Sequence, residues 1–311
     1  MFSNFNTYKT QKENVIDLWV SIFSAIFGLL ALESIISIGY LLWLRSQMGS
    51  LGGFSEIKIP VVVSLFGTIG GVAAVTWSVK REKWQLIDVG VLVSKTTVKE
   101  YLWGALMALL MLTACVAPAL ITMAAKMSMA SLDRMGLALW LVYGVGFIIQ
   151  SFSEEYLVRG FIMKRLTQRY NIIVTLIVQA LIFMGMHAGN PGMSFLPYIN
   201  LFLIGVIFGQ LVLLTDNLML ASGLHWLWNF AQGCIFGIKV SGLEGMPALF
   251  NCEMVGSPLL TGGDFGIEGA FSTTIIYIIV FGLLMPKTMR IIKNKTSIAK
   301  EEISEEESLN G

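Results

Sequence analysis

Charge is scarce in this sequence. Only 13% of its 311 residues are Asp, Glu, Lys or Arg, against about a quarter in an ordinary soluble domain. Hydrophobic residues make up 55%, and the mean hydropathy is +0.74. A soluble chain of this length cannot hide that much apolar surface, because the fraction buried on folding saturates with size; a bilayer can take it. A net charge of +1, with no basic stripe interleaved with aromatics, points away from a nucleic-acid partner. Cysteine is almost missing. Cys115, Cys234 and Cys252 are scattered and odd in number, and no CxxC pair exists, which excludes a zinc ribbon, a dithiol redox motif and a disulfide framework. Cys115 and Cys234 fall in apolar runs and read as small buried hydrophobes. There is no HExxH, and the chain has only two histidines, His187 and His225.

What is present is a series of long apolar runs. A spanning helix needs about 20 mostly apolar residues. Eight runs qualify or nearly so: 16–44, 59–79, 101–125, 136–158, 172–187, 194–214, 218–238 and 270–288. The first is too long for the core of a signal peptide, and no small-x-small cleavage site follows it, so it reads as a retained membrane helix. Basic residues set the orientation. With the N-terminus inside, Arg45, Lys58, Lys126, Arg134 and Lys239 are the only basic residues outside, of 21 in the chain. The reading is therefore an all-α, polytopic transmembrane bundle of eight spans with both termini cytoplasmic, a multi-pass protein of the cell membrane. Residues 80–100 read as an amphipathic connector along the inner surface, and 239–269 as a Gly- and Pro-rich outer loop. Residues 1–291 form one membrane-embedded domain. Residues 292–311, acidic and without aromatics, read as a disordered cytoplasmic tail.

Ionisable groups inside a membrane are costly, and each is a functional hypothesis. Glu33, well inside the first run, reads as a helix-end or helix-contact carboxylate. The fourth run ends in Ser153-Glu154-Glu155-Tyr156-Leu157-Val158-Arg159. Adjacent helical residues diverge by about 100°, so the two glutamates cannot share a task. Glu155 and Arg159 have the i, i+4 spacing of an ion pair. Glu154 is left facing elsewhere, a carboxylate in a poorly solvated place and a candidate general base. Each histidine by itself reads as a packing residue; with Glu154 they read differently. Glu154 lies about 16 residues before the polar turn at Tyr170 and Asn171, and His187 about 16 after it, so both sit about 24 Å from the turn. His225 and Asn229 share one face of the seventh helix, and Phe183 lies one turn below His187. Measured from Asp216, His225 is only about 13 Å deep. It meets Glu154 if the 164–171 turn protrudes or the 216 turn sits deep.

At these residues the sequence resembles the CPBP intramembrane proteases, the family of type II CAAX prenyl endopeptidases and bacterial Abi-type proteins. The resemblance rests on Glu154-Glu155-x-x-x-Arg159, Phe183-x-x-x-His187 and His225-x-x-x-Asn229, in that order, within a motif core of 137–236; Gly205 and Gly209 resemble its small-residue sixth span. What it implies is peptide-bond hydrolysis in the membrane. Glu154 and His187 would activate a water, His225 and Asn229 would hold the oxyanion, and Glu155, Arg159 and Phe183 would support them. The substrate implied is a membrane-embedded or lipidated peptide or protein. Members of the family are described both as metalloproteases and as metal-free glutamate proteases. Glu154, His187 and His225 could hold zinc; their long spacing favours the reading with no cofactor. Two other readings stay open: a non-catalytic scaffold or bacteriocin-immunity factor, and a transporter with helices broken at paired positions. The substrate, oligomeric state and regulators are not legible.

Overall fold

The computed structural model describes residues 14–47 and 59–310. They form an all-α membrane bundle with one small β-ribbon. Helix α1 (Val15–Gln47) and α2 (Ile59–Arg81) pack as an antiparallel pair, their ends tied where Arg81 and Glu82 meet Ser21. Gly67 and Gly70 of α2 face α1 so closely that a Cβ on either would run into it, the small-residue packing that membrane helices use where lipid supplies no hydrophobic drive. Helix α3 (Lys95–Ile121) starts on Ser94, whose hydroxyl accepts from the Thr97 amide. Helix α4 (Arg134–Glu155) starts on Asp133, whose carboxylate accepts from the Gly136 amide. Both use the capping chemistry that satisfies otherwise orphaned N–H groups.

At the end of α4 the helix widens into π-helical turns over Tyr156–Ile162 and then resumes as α5 (Met163–Thr167). After a turn capped by Asn171 come α6 (Ile172–Met186) and α7 (Phe195–Thr215). Asp216 stops α7 in a left-handed conformation, and α8 (Met219–Phe230) follows, ending in a second π-helical segment, Ala231–Ile235. Strands β1 (Ala125–Met129) and β2 (Phe250–Met254) pair antiparallel, a short helix α9 (Pro258–Thr261) lies in the loop after them, and α10 runs Phe271–Asn310.

Among the described residues six helices are long and apolar enough to cross a membrane: Val15–Trp43, Val62–Arg81, Lys95–Ile121, Arg134–Thr167, Phe195–Thr215 and Phe271–Asn294. The other two expected spans correspond to shorter elements, α6 with 15 residues and α8 with 12 before its π-helical end. At 1.5 Å per residue, α6 covers only about 22 Å. Large apolar side chains on the outer faces of α1, α3 and α10, such as Phe27, Leu110 and Leu283, are exposed, as a lipid-facing surface requires. The core runs along Leu157, Phe161, Leu166, Ile207, Leu211 and Leu224, so the widened segment after α4 sits at its centre.

One expected span needs correction. The third begins at Lys95 and stops at Ile121, because residues 125–129 leave the helix to pair with β2. Between α2 and α3 the connector is an irregular segment with one 3-10 turn at Leu86–Val89, closed by Gly90 at φ 77. Helix α10 continues through the acidic stretch to Asn310. Its Ala, Lys and Glu residues favour helix, and propagation from an already formed helix avoids the cost of nucleation.

The closest helix crossing is between α3 and α8. A Cβ on Gly104 would strike the Leu220 carbonyl oxygen, and one on Gly223 the Tyr101 carbonyl oxygen. Both obstacles are backbone and cannot rotate away. Gly223→Ala is expected to destabilise the fold by about 1–3 kcal/mol, measured as a lower thermal midpoint in detergent. Gly282→Ala, where nothing lies within 4 Å, is expected to leave the midpoint in place.

Candidate active site

Glu155 is fully buried and lies at the centre of the site. Its Oε1 accepts from Arg159 Nη1 at 3.1 Å, one helical turn on, and lies 3.0 Å from His225 Nδ1 on α8. Arg159 is also fully buried. Its Nη2 donates to the Gly205 carbonyl at 3.1 Å, and its guanidinium lies over the rings of Phe183 (4.3 Å) and Phe208 (4.9 Å). A cation between two aromatic faces is stabilised by their quadrupoles, more so when desolvated. Gly205 is available because α6 and α7 touch there: a Cβ on Gly205 would sit 3.0 Å from Ala180. The same carbonyl accepts from Gln179 Nε2 at 2.9 Å.

These contacts orient the two histidines. A carboxylate and a carbonyl only accept hydrogen bonds. His225 Nδ1, on Glu155, therefore carries its proton, and so does His187 Nδ1, 2.9 Å from the Phe183 carbonyl at the end of α6. This assignment of tautomers follows from the hydrogen-bond network. In the neutral form each ring then presents Nε2 as an acceptor. Both Nε2 atoms face Glu154 Oε2, each at 3.9 Å. That oxygen is buried and has no hydrogen-bond partner. The other carboxylate oxygen accepts from Gln150, whose own oxygen accepts from Asn229 Nδ2 at 3.1 Å. The His225 ring stacks on Phe208 at 5.2 Å and meets Phe183 edge-on at 6.0 Å.

Three acceptors thus converge on one place, which calls for a donor among them. A distance of 3.9 Å is too long for direct hydrogen bonds and leaves room for a water that donates to Glu154 Oε2 and to one imidazole Nε2 at about 2.8 Å. A tetrahedral zinc with bonds of about 2.0–2.1 Å would draw its ligand atoms to within roughly 3.4 Å of one another. As placed, each 3.9 Å separation would have to close by about 0.5 Å for Glu154, His187 and His225 to hold that ion. Among the described residues no group of three or more His, Cys, Asp or Glu side chains gathers as a metal site.

The convergent atoms open into a cavity of about 570 Å³ lined by Glu33, Gln150, Glu154, His187, His225, Asn229, Ser241 and Glu268 among apolar neighbours. A larger cavity of about 880 Å³ lies among the strands and the 237–266 loop, but it holds neither histidine. All four residues read as catalytic are therefore brought together, with Glu155, Arg159 and Phe183 packed behind them.

The depth mismatch between Glu154 and His225 is resolved by a stagger of the two turns. Gly160 lies against the Val89 carbonyl and the Leu218 side chain, and the Leu218 amide bonds to the Gly90 carbonyl. Glu154 is six residues above Gly160 and His225 seven above Leu218, so they reach one height while the 161–171 segment extends past the 216–218 turn.

Sequence reading missed Gln150 and Phe208, took Glu33 for a helix contact, and read Glu268 as part of a turn-rich outer loop that could reach the mouth of the site. Gln150 has a signal, lying i−4 to Glu154. The Glu268 carboxylate accepts from the Ser241 amide (2.7 Å), the Ser241 hydroxyl (2.9 Å) and Gln232 (3.3 Å). Burial pushes this carboxyl above its ordinary range, opposed by the Ser241 bonds and the His187 imidazole.

Arg159→Met would leave Glu155 buried without its counter-ion. Breaking a buried pair from one side costs about 3–5 kcal/mol, whereas replacing both partners by apolar groups costs far less. Arg159→Met is expected to lower unfolding stability in detergent by that amount, and adding Glu155→Leu to restore part of it.

Residues 136–231 match the family model for type II CAAX prenyl endopeptidase, Rce1-like. The match runs from the start of α4 to the first residue after α8 and contains every charged and imidazole group of the convergent centre. No curated protein matches the chain significantly. Over these residues this multi-pass membrane protein is similar to the Rce1-like type II CAAX prenyl endopeptidases.

Proposed function

We propose that the chain is an intramembrane endopeptidase that hydrolyses a peptide bond of a membrane-associated, CAAX-type or otherwise lipidated peptide with a water activated by Glu154 and His187. The observation that carries this reading is the pair of imidazole Nε2 atoms, each 3.9 Å from the same unpartnered, buried oxygen of Glu154. A water held among these acceptors is polarised for attack. Its proton passes to Glu154, and the new bond forms between the water oxygen and the scissile carbonyl carbon. As charge grows on the carbonyl oxygen, His225 donates from Nε2 when protonated, its cationic form supported by Glu155 at Nδ1. The second N–H of the Asn229 amide, the first being on Gln150, adds another donor. Donors fixed before the reaction, in a place that excludes water, stabilise such an oxyanion more than they would in solution. The proton on Glu154 then goes to the leaving amine as the C–N bond breaks. No step in this scheme needs a metal. The apolar wall of the cavity, including Phe23, Ile26, Leu29 and Leu30 of α1, suits a lipid-modified or hydrophobic segment. The arrangement in the membrane is proposed to be eight helices with both ends on the cytoplasmic side.

The test is cleavage of quenched fluorescent peptides, with and without prenyl groups, by the purified protein in detergent. Glu154→Gln and His187→Ala are each expected to lower kcat/KM by about 10²–10⁴-fold, the range of a general base, with the wild type indifferent to chelators. Activity lost on chelation and restored by zinc would replace the metal-free scheme. Full cellular function in both variants would overturn the protease reading. For the topology, single cysteines placed near residue 10 and residue 300 are expected to react with an impermeant thiol reagent only after the cytoplasmic side is opened; labelling of one end from outside would refute it.

A further inference from the structure

Glu33 lies well inside α1, about 27 Å along the helix from Val15, in a span of mean hydropathy 2.2. A carboxyl group at such a place needs a reason. The α2 glycines bring it to the catalytic cavity. A Cβ on Gly71 would lie 2.6 Å from Glu33 Oε1 and 2.5 Å from Ser153 Oγ, so the absence of a side chain there lets the carboxyl reach across α2 to the residue before Glu154. Ser153 is fully buried and its hydroxyl has no hydrogen-bond partner. Glu33 lines the same cavity as Glu154, His187, His225 and Asn229. Among the described residues it makes no hydrogen bond or ion pair, and its electrostatic neighbour is another carboxyl group, Glu154.

Three glutamates, Glu33, Glu154 and Glu268, line this cavity beside His187 and His225, and among the described residues no lysine or arginine does. Arg159, behind the site, is committed to Glu155 and Gly205. A cavity lined by one sign of charge with low-dielectric walls concentrates the opposite sign, and a carboxylate gains most from a cation where water is excluded.

From this juxtaposition we propose that Glu33 is a specificity-determining residue that receives a Lys or Arg side chain of the peptide substrate, one position or a few from the scissile bond. The inference rests on the protease reading above. An amino lipid headgroup could offer the same ammonium chemistry, so the test separates the two sources.

N-acetylated fluorogenic peptides, assayed in detergent without amino lipids, would carry Lys, Arg, norleucine or Glu at each position flanking the cleaved bond. For wild type, kcat/KM at one position is expected to favour Lys or Arg over norleucine by about 10- to 100-fold, the scale of a desolvated charge pair. Glu33→Gln should bring that ratio close to one. Glu33→Lys should turn it towards Glu, and Gly71→Ala, which pushes the carboxyl aside, should reduce it. A merely structural role would lower all rates together and leave the ratio alone. Should Glu33→Gln fold poorly by its thermal midpoint, Glu33→Asp, which keeps the charge, should retain the preference. Cleavage of the norleucine peptide as fast as the Lys and Arg peptides at every position would overturn the role of Glu33 while upholding the protease. If no peptide is cleaved, the protease reading fails. The residue is then judged by thermal shift alone: equal stabilisation of wild type by the Lys and norleucine peptides would overturn this proposal too.

Discussion

The buried carboxylate of Glu155 is the constraint on which the site depends. It carries charge in a region with almost no water, and it is tolerable only because Arg159 and His225 both bond to it. Once those partners are required, much follows. Arg159 must reach α7, where the Gly205 carbonyl and two aromatic faces complete its surroundings. His225 must bring α8 against the end of α4, with Nδ1 spent on Glu155 and Nε2 turned to Glu154. The support residues thus set which imidazole nitrogen is available for chemistry.

Helix approach is the second condition. A bilayer gives helices little hydrophobic reason to associate, so close van der Waals contact and internal hydrogen bonds hold them. Glycines stand at the crossings that matter: Gly104 and Gly223 between α3 and α8, Gly205 between α6 and α7, and Gly71 where Glu33 passes α2. The π-helical turns after α4 belong to the same logic. They shift the register of a long helix as the motif ends, and such turns recur at functional positions in helices.

The loop after α8 completes the cavity from a direction that helix patterns do not suggest. Glu268 is held by Ser241 and Gln232, and Asn200 of α7 donates to the Glu268 and Ala270 carbonyls. The loop is therefore pinned to the bundle by buried polar contacts, and Ser241, at φ 47, is held in a conformation that a residue with a side chain seldom takes.

Scarce charge and long apolar runs were enough, from sequence, to establish a membrane-embedded helical bundle, because hydrocarbon permits only backbone that satisfies itself. The i, i+4 spacings of Glu155 with Arg159 and of His225 with Asn229 set which side chains share a helix face, and two histidines in the whole chain left few partners for Glu154. Local spacing carries no information on how far one turn extends past another. That the 161–171 segment extends past the 216–218 turn, so that Glu154 and His225 meet, was decided by the packing of Gly160 against Val89 and Leu218. The β-ribbon, the arrival of Glu268 and the bridge from Asn229 through Gln150 to Glu154 were likewise decided by contacts between segments remote in sequence. Glu33 shows the division most clearly: its place in an apolar run was legible as an anomaly, but only the approach of α1 to α2 at Gly71 turned its carboxyl into the cavity that holds Glu154.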